Sequence, residues 1–423
     1  MSKLVPIDWL SSTVGDYCYV TKLAGYEYTN HFDYSIGGDV IAVRALNLKK
    51  GKLDLNQIQT IPRAVSDALP RSKLSTNDLV ISYVGTIGEI AFIDEDDKYH
   101  LAPNVAKITP DSEKINGKFL AHVLTSDETQ KSIQLLGSVT SQPSLSMGNL
   151  RKVFIPVPPL PEQQKIAAIL TSVDDVIEKT QAQINKLKDL KTGMMQELLT
   201  RGVSVDGKPH TEFKDSPVGR IPKAWDVVQI AELCTDVVDC VNKTAPVVDY
   251  KTPYKMLRTT NIKNGRVDTD NVRCVTKETY HTWTRRMKPE SGDLIFTREA
   301  PVGECGVLKD AKGVFLGQRT MMYRANKTKT SSGYLMYSLM SEYGQKQLEN
   351  FSGGSTVPHM RVPDCSKILI KLPSLKEQRI IVDSLNSLDF SRQKKEQKVS
   401  KLSSLKKALM QDLLTGKVRV NVE

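Results

Sequence analysis

The sequence has no long apolar run, no leader-like start and few cysteines. Hydrophobic residues make up 39% of its 423 residues, yet no apolar stretch approaches about 18 residues, and the opening MSKLVPIDWL lacks a signal-peptide core. We therefore expect neither membrane insertion nor secretion, no membrane partner, and a cytoplasmic location. The six cysteines form no C-x-x-C pair and the six histidines are scattered, which indicates neither a disulfide framework nor a zinc site.

Catalytic signatures are also absent from the sequence. It contains no G-x-x-x-x-G-K-[ST] phosphate loop, no H-E-x-x-H, no G-x-S-x-G, and no N-P-P-F-like or D-P-P-Y-like tetrapeptide of an amino-methyltransferase. The acidic run Asp94–Asp97 is more typical of a solvated turn than of a metal site. The sequence therefore predicts a non-catalytic protein, with no catalytic residue, no metal site and no cofactor of its own.

What the sequence does carry is an uneven excess of positive charge. The net charge is +11. Residues 1–203 contain 22 Lys and Arg against 23 Asp and Glu, which leaves 37 basic and 25 acidic residues for 204–423. A basic excess of this size, concentrated in the second half, indicates a polyanionic partner such as nucleic acid.

The chain contains an internal repeat at an offset of 215 residues. Between 157 and 203 the shifted copy matches at 19 of 47 positions without a gap, several times what composition alone gives. PPLPEQQKIAAIL at 158–170 lies over PSLKEQRIIVDSL at 373–385. Upstream, DLVISYVGTIGEIAFI at 78–93 lies over DLIFTREAPVGECGVL at 293–308, and RALNLKKGKLD resembles RTTNIKNGRVD at an offset of 214. Each copy is a weakly repeated body followed by a strongly repeated helical arm.

The repeat predicts six segments along the chain. They are a first body, a first long helix, a linker, a second body, a second long helix and a tail, at residues 1–157, 158–203, 204–220, 221–372, 373–417 and 418–423. Short β-branched runs broken by glycine predict a strand, a turn and a strand at 78–93 and again at 293–308, and short helices are expected near 118–136 and 333–351. The expected fold class is α+β: two mixed α/β bodies, related by a pseudo-twofold internal repeat, joined by two long antiparallel coiled-coil helices.

The two arms begin at explicit helix-start signals. Ser374 and Glu377 have the spacing of a capping box, and Pro161 falls in the first turn of the first arm, where a missing N–H costs little. The alternative for PPLP is a polyproline ligand, but its place before a helix in both copies disfavours that interpretation.

Apolar residues recur along each arm at alternating spacings of 3 and 4, which predicts a coiled-coil seam. The predicted helix-pairing residues are Ile166, Leu170, Val173, Ile177, Ile184, Leu187, Met194, Leu198, Ile381, Leu385, Leu388, Val399, Leu402, Leu409 and Leu413, with Thr180 and Lys191 also on the seam. A lone helix with such a stripe is not stable, so we expect the arms to pair with each other. The alternative is that each arm packs only against its own body.

The repeated helix starts and ends also carry a family resemblance. The arms open with PPLPEQQKIA and LPSLKEQRIIV, close with QELLTRG and QDLLTGK, and the linker carries FKDSPVGRIPKAW. Over essentially its whole length, a chain with these motifs resembles the specificity (S) subunit of type I restriction-modification systems. The resemblance implies that the bodies are target recognition domains, each reading one half of an asymmetric bipartite site in double-stranded DNA. It also implies that the paired helices set the unread spacer.

The resemblance further implies partners and cofactors outside this chain. The helices would dock two methyltransferase (M) subunits, which methylate adenine at N6 with S-adenosylmethionine, and restriction (R) subunits would add translocation and cleavage that require ATP and Mg. Two features depart from the family pattern: Pro159 replaces the capping serine, and Arg392 and Lys395 occupy seam positions. The second departure predicts a polar centre in the coiled coil or, as the less favoured interpretation, basic side chains that face the DNA spacer.

Candidate DNA contacts lie in polar loops that differ between the bodies, because bases are read by paired donors and acceptors whereas Lys and Arg on phosphates supply register. The candidates are Arg44, Asn47, Lys49, Lys50, Thr86, Asn104, Ser141, Arg258, Asn261, Lys263, Arg298, Gln318, Arg319, Thr320 and His359. Arg44 recurs as Arg258, and Asn47 as Asn261, which favours structural or phosphate-binding roles for these four. Arg298 and Arg319 are the stronger candidates for base discrimination, with guanine as the expected base. The alternative function is a scaffold that bridges partner subunits without DNA specificity of its own.

Overall fold

The computed structural model describes residues 6–23, 25, 34, 37–138, 142–353 and 358–421. By its internal contacts the chain divides into two compact units, residues 1–182 with 396–423, and residues 183–395. Unit 1 therefore combines the first body with the first part of one long helix and the last part of the other. Unit 2 combines the second body with the remaining parts of both helices.

The body of unit 1 is built from short strands and helices. Its strands are β1 (Leu10–Thr13), β2 (Cys18–Lys22), β3 (Val40–Val43), β4 (Leu48–Lys49), β5 (Lys52–Leu53), β6 (Thr60–Ile61), β7 (Lys73–Leu74), β8 (Leu79–Ser82), β9 (Ile90–Phe92), β10 (Tyr99–Leu101), β11 (Val105–Pro110) and β12 (Phe154–Val157). Its helices are α1 (Val14–Tyr17), α2 (Arg63–Ala68), α3 (Gly117–Thr125), α4 (Asp127–Leu136) and α5 (Met147–Arg151), followed by the long helix α6 (Leu160–Leu198).

Two four-stranded sheets form the frame of this body. One has the order β2-β11-β8-β9 with every neighbouring pair antiparallel, and the other has the order β6-β3-β10-β7 with β10 parallel to β3. The interior strand β8 is buried at all four residues, which is why its sequence LVIS does not alternate between apolar and polar. Phe119 and Leu120 of α3 pack into the same core as Leu79 and Ile81 of β8.

The body of unit 2 follows the same plan. Its strands are β13 (Phe213–Lys214), β14 (Ile221–Pro222), β15 (Asp226–Gln229), β16 (Cys234–Asp239), β17 (Lys255–Leu257), β18 (Ile262–Lys263), β19 (Arg266–Val267), β20 (Arg273–Cys274), β21 (Leu294–Arg298), β22 (Val302–Val307), β23 (Val314–Leu316), β24 (Thr320–Ala325) and β25 (Leu369–Leu372). Its helices are α7 (Lys277–Trp283), α8 (Ser332–Met340), α9 (Glu342–Ser352) and α10 (Val362–Cys365), followed by the long helix α11 (Leu375–Leu413).

The sheets repeat between the two bodies. The order β16-β24-β21-β22 matches β2-β11-β8-β9, and β17 pairs in parallel with β23 as β3 does with β10. The strand, turn and strand expected at 78–93 and 293–308 are β8 with β9 and β21 with β22. The α+β class and the internal repeat predicted from the sequence are therefore confirmed. No helix in the described parts of the chain is long and apolar enough to cross a bilayer.

The two long helices pair antiparallel within each unit. In unit 1, Lys406 Nζ lies 2.7 Å from the Asp174 carboxylate, and in unit 2 Lys191 Nζ lies 2.7 Å from Asp389 Oδ2. All predicted helix-pairing residues are buried or half-buried. As residue numbers increase along α6, the numbers of their partners on α11 decrease. The antiparallel pairing expected from the seam is therefore confirmed.

The helix ends also enter the cores of the bodies. Ile166 and Leu170 near the start of α6 share the unit 1 core with Leu413 at the end of α11. In unit 2, Ile381 and Leu385 near the start of α11 share a core with Leu199, which directly follows α6. Each body therefore buries the start of one long helix and the end of the other, so the arms pack against bodies as well as against each other.

The middle of the helix pair in unit 2 is polar. Lys395 Nζ donates to Gln183 Oε1 at 2.6 Å, and Arg392 lies 3.3 Å from Asp389 Oδ1. Both basic side chains are therefore engaged with residues of the helix pair. This arrangement favours the polar-centre interpretation over basic side chains that face DNA.

A buried glutamate, Glu377, connects the start of α11 to the rest of unit 2 through hydrogen bonds, and we call this arrangement the glutamate lock. Ser374 Oγ accepts from Glu377 N at 3.3 Å, as a helix cap requires, but the Glu377 carboxylate does not complete the expected capping box. Its oxygens instead accept from Trp225 Nε1 at 3.0 Å and Val203 N at 2.9 Å, with His210 Nε2 2.9 Å away. The carboxylate is drawn inward because the indole N–H of a fully buried tryptophan needs an acceptor.

Unit 1 repeats this lock with different partners. Glu162 accepts from Trp9 Nε1 at 3.1 Å and from Arg419 Nε at 2.7 Å, and Arg419 also donates to Asp8. The neighbouring glutamine is used alike in both units, since Gln163 Nε2 donates to Pro158 O at 2.8 Å and its counterpart does so to Pro373 O at 3.0 Å. The repeated P-x-L-x-E-Q therefore fastens each helix start to its body.

A buried histidine makes the stability of unit 1 depend on pH. His122 Nε2 lies 3.2 Å from Thr171 Oγ1, and burial, followed by the positive charge of Lys406, lowers the pKa of His122 to about 4. The unfolded chain takes up this proton near pH 6.5 while the folded unit stays neutral, so the stability of the unit falls as pH drops from about 6.5 towards 4. We expect unit 1 to be roughly 2 kcal/mol less stable at pH 5 than at pH 7.

The measurement is the urea midpoint of unit 1 at the two pH values, for the wild type and for His122→Gln. The variant is expected to lose most of the pH dependence because it removes the titrating group. In unit 2 the equivalent position is Tyr337, which does not titrate in this range. An unchanged pH dependence in His122→Gln would contradict the assignment.

Candidate nucleic-acid interface

Three segments of unit 1 meet at one end of the sheet β2-β11-β8-β9. They are the turn 83–89 after β8, the turn 102–104 before β11, and residues 142–145, which we call loop cluster 1. Tyr83 N donates to Asn104 O at 3.0 Å, and Leu145 N donates to Tyr83 O at 2.8 Å. These backbone bonds join the three segments into one surface.

The same three segments meet in unit 2 and form loop cluster 2. They are residues 298–303, 317–319 and 358–360. Arg298 N donates to Arg319 O at 2.9 Å, and Met360 N donates to Arg298 O at 2.9 Å. The bonded residues are the counterparts of those in loop cluster 1 at an offset of 215, and a further pairing, Val84 with Ser144, recurs as Glu299 with His359.

The turn after β8 and its counterpart after β21 are stabilised by the same interactions. Ser82 Oγ accepts from Glu89 N at 3.0 Å, and Thr297 Oγ1 accepts from Glu304 N at 3.0 Å. Gly88 has φ +91° and its counterpart Gly303 has φ +93°, values that an L side chain rarely adopts. The two loop clusters therefore share one backbone frame.

The side chains on this frame differ between the clusters. The pairs of counterparts are Tyr83 and Arg298, Val84 and Glu299, Pro103 and Gln318, Asn104 and Arg319, and Ser144 and His359. Burial raises the pKa of the Tyr83 phenol, so that group stays protonated. Cluster 2 carries two arginines and cluster 1 none, so the added positive charge of the second half lies partly at this surface.

Six of the fifteen candidate DNA contacts fall on the loop clusters. Thr86, Asn104, Arg319 and His359 are exposed there, and Arg298 and Gln318 are half-buried. Thr320 is fully buried and its hydroxyl donates to Gly317 O, so it shapes the turn. Ser141 lies outside the residues that the structure describes.

The predicted lysines lie on a separate, repeated hairpin. Lys49 and Lys50 belong to the hairpin β4-β5, and Lys263 to the hairpin β18-β19. All three are exposed, and Lys49 pairs with Asp54. Because both hairpins carry similar basic residues, they suit a contact that does not depend on sequence.

The remaining candidates form the repeated R-x-x-N turns that precede these hairpins. Asn47 is fully buried, accepts from Arg44 N at 3.1 Å and donates to Asp54 O and Gln57 O, and Asn261 makes the equivalent bond to Arg258 N at 3.0 Å. These amides are used within the chain and position the turn. The Nε atoms of Arg44 and Arg258 are both buried and make no hydrogen bond to the described residues, so the two turns resemble each other in this respect too.

Sequence reasoning missed one residue of loop cluster 2. Glu299 Oε1 lies 3.4 Å from Arg319 Nε, although twenty residues separate them in the chain. The only sequence signal is its place beside Arg298 in TREAP, which does not predict a partner on another turn.

Two copies of one backbone frame with different side chains define a protein with two related, non-identical loop surfaces. The chain belongs to the family described as type I restriction modification DNA specificity domain, whose model matches residues 7–189 and 222–402. The family resemblance stated from the sequence is therefore confirmed.

Known relatives and solved structures agree with this family. A type I restriction enzyme specificity subunit, MjaVIII, of Methanocaldococcus jannaschii is 30% identical over 354 residues, which cover 82% of this chain and 80% of that protein. The type I restriction-modification S subunit from M. genitalium has the same fold, with a TM-score of 0.62 at 12% identity over 98% of both chains. A chain from a type I R-M system complex has a TM-score of 0.53 at 17% identity, over 98% of this chain and all of the other.

Proposed function

We propose that each loop cluster reads one half of an asymmetric bipartite site in double-stranded DNA. The observation that carries this proposal is the constant backbone frame with different side chains, because two readers of different half-sites need the same docking geometry and different donors and acceptors. A scaffold without DNA specificity would have no use for an exposed, polar and divergent set on a repeated frame.

The hairpins and the R-x-x-N turns supply the phosphate contacts in this proposal. Lys49, Lys263, Arg44 and Arg258 recur between the bodies, and a phosphate backbone looks alike on both half-sites. In this proposal the repeated basic residues fix the register of the protein on the DNA, and the divergent residues read the base sequence.

The paired long helices set the spacer and dock two methyltransferase subunits. Each helix contributes residues to both units, so its length bears on both readers. Leu190 and Leu405, counterparts at an offset of 215, are each 50% exposed on the helices. A repeated exposed leucine supports a surface that binds the same partner twice.

The chemistry of the complex resides in its partners. Methyltransferase subunits would bind S-adenosylmethionine and methylate adenine at N6, and restriction subunits would use ATP and Mg for translocation and cleavage. The chain itself acts in the cytoplasm as a non-catalytic subunit. Its lack of catalytic motifs supports this assignment.

The test uses the full chain in complex with its methyltransferase subunits. Mapping methylated adenines in the host genome is expected to give one bipartite motif with a fixed spacer, and a gel-shift assay is expected to show salt-dependent preference for that duplex. Binding with no preference for any bipartite duplex, together with methylation of no defined motif, would favour the scaffold alternative.

The hairpin lysines are expected to affect affinity without affecting sequence preference. Replacing Lys49 and Lys263 by Gln removes two phosphate contacts, so the slope of log K against log salt should fall by roughly two while the motif stays the same. The control replaces Lys114 and Lys329, counterparts at the opposite end of β11 and β24 from the loop clusters, and should leave the slope unchanged. A changed motif in the hairpin variant would assign these lysines to base reading instead.

A further inference from the structure

One position of each loop cluster combines divergent chemistry with an unusual backbone. Asn104 has φ +69° and its counterpart Arg319 has φ +72°. Glycine would close either turn without strain, because the hydrogen bond from Tyr83 N or Arg298 N goes to the backbone carbonyl of this residue and needs no side chain. Asparagine tolerates the left-handed region, whereas arginine there is unusual and marks a functional constraint.

Both side chains are attached at the same position of the repeated backbone frame. Asn104 is exposed, and the Arg319 side chain is 46% exposed. Asparagine is suited to bidentate hydrogen bonds with adenine N6 and N7, and arginine to guanine O6 and N7 in the major groove. Exchanging one of these side chains for the other should therefore change the preferred base between adenine and guanine.

The other arginine of loop cluster 2 is placed differently. Arg298 is half-buried and donates from its guanidinium to Met360 O at 3.0 Å, so it braces the third segment of the cluster. Arg319 instead meets Glu299, whose carboxylate lies 3.4 Å from Nε. The guanidinium also carries two terminal nitrogens that can donate hydrogen bonds. A carboxylate at Nε orients a guanidinium in the way that bidentate recognition requires.

We propose that position 104 in unit 1 and position 319 in unit 2 select the base at the equivalent step of each half-site. Asn104 selects adenine in the first half-site, and Arg319 selects guanine in the second. Glu299 is a positioning residue for Arg319, and Arg298 is a structural brace. This inference rests on the proposed function, and it adds which residue selects which base.

The experiment maps methylated adenines for the full chain with its methyltransferase subunits. In Arg319→Asn we expect one guanine of the second half-site to be replaced by adenine, with the first half-site unchanged. In Asn104→Arg we expect the reciprocal change in the first half-site only. In Glu299→Gln the guanine preference should fall by roughly tenfold or more without a change of base, since a bidentate contact is weakened. Lys309→Asn makes the same change of charge at the far end of β22 and should leave both half-sites intact.

The possible outcomes distinguish a failure of the base assignment from a failure of the proposed function. If the wild type yields no bipartite motif, the proposed function fails. If the wild type yields a motif and both exchanges leave every base unchanged, only the base assignment fails. Should an exchange abolish methylation, Arg319→Ala removes the guanidinium donors altogether, and selection of bound duplexes from a random library reads the base preference of that variant directly. An unchanged guanine preference in that variant overturns the proposal.

Discussion

A seven-residue helical insertion after residue 182 in α6 and after residue 395 in α11 is expected to lengthen the DNA spacer by roughly one to three base pairs. Seven residues add about 10 Å to a helix at about 1.5 Å per residue, and DNA rises about 3.4 Å per base pair. One heptad preserves the alternating seam, so the helices stay paired. Methylated-adenine mapping gives the spacer, and both half-sites should keep their bases.

The control for the insertion lies outside the helices. The same seven residues placed at Gly207, in an exposed turn of the linker, should leave the spacer unchanged because that turn lies in neither helix. A helix insertion that changes the half-site bases, or that leaves the spacer length unchanged, would refute the proposal that the paired helices set the spacer.

Glu377→Ala is expected to destabilise unit 2 by about 3–5 kcal/mol. The substitution removes a buried acceptor from Trp225 Nε1 and Val203 N, and each orphaned buried donor costs about 1–3 kcal/mol. It also frees the start of α11 from the segment around His210. Urea unfolding of the full chain, followed by tryptophan fluorescence and circular dichroism, gives the change in unfolding free energy.

Asp383→Ala is the matched control for that variant. Asp383 is an exposed carboxylate on the same helix, and its removal should shift the unfolding free energy by less than about 0.5 kcal/mol. Equal midpoints for Glu377→Ala and Asp383→Ala would show that the lock contributes nothing to stability.

Local pattern was sufficient for the parts of the fold that repeat along the chain. The seam from Ile166 to Leu198 follows from a spacing of 3 and 4, since helical periodicity is a property of the segment itself. The strand, turn and strand around Gly88 and Gly303 likewise follow from short β-branched runs and a residue that permits positive φ. The repeat at an offset of 215 strengthened both predictions because each copy supports the other.

Local pattern failed where a side chain finds its partner far away in sequence. Glu377 has the spacing of a capping box, yet its carboxylate serves Trp225, 152 residues earlier. The recurrence of Asn47 and Asn261 favours structural or phosphate-binding roles, but it does not reveal that both amides are buried and accept from the backbone of their own turns. Spacing within a segment carries no information about such contacts.

Periodicity, composition and repeated motifs were enough to establish the duplicated architecture, the pairing stripe on both helices, the basic second half and the family. Which polar residues share a surface became evident from the folded chain alone. Asn104 and Arg319 became comparable once the fold placed both at the same left-handed turn of one repeated frame, and Glu299 joined Arg319 across two turns. A binding surface is assembled from segments distant in the chain, and the sheets and cores beneath them fix how those segments approach each other.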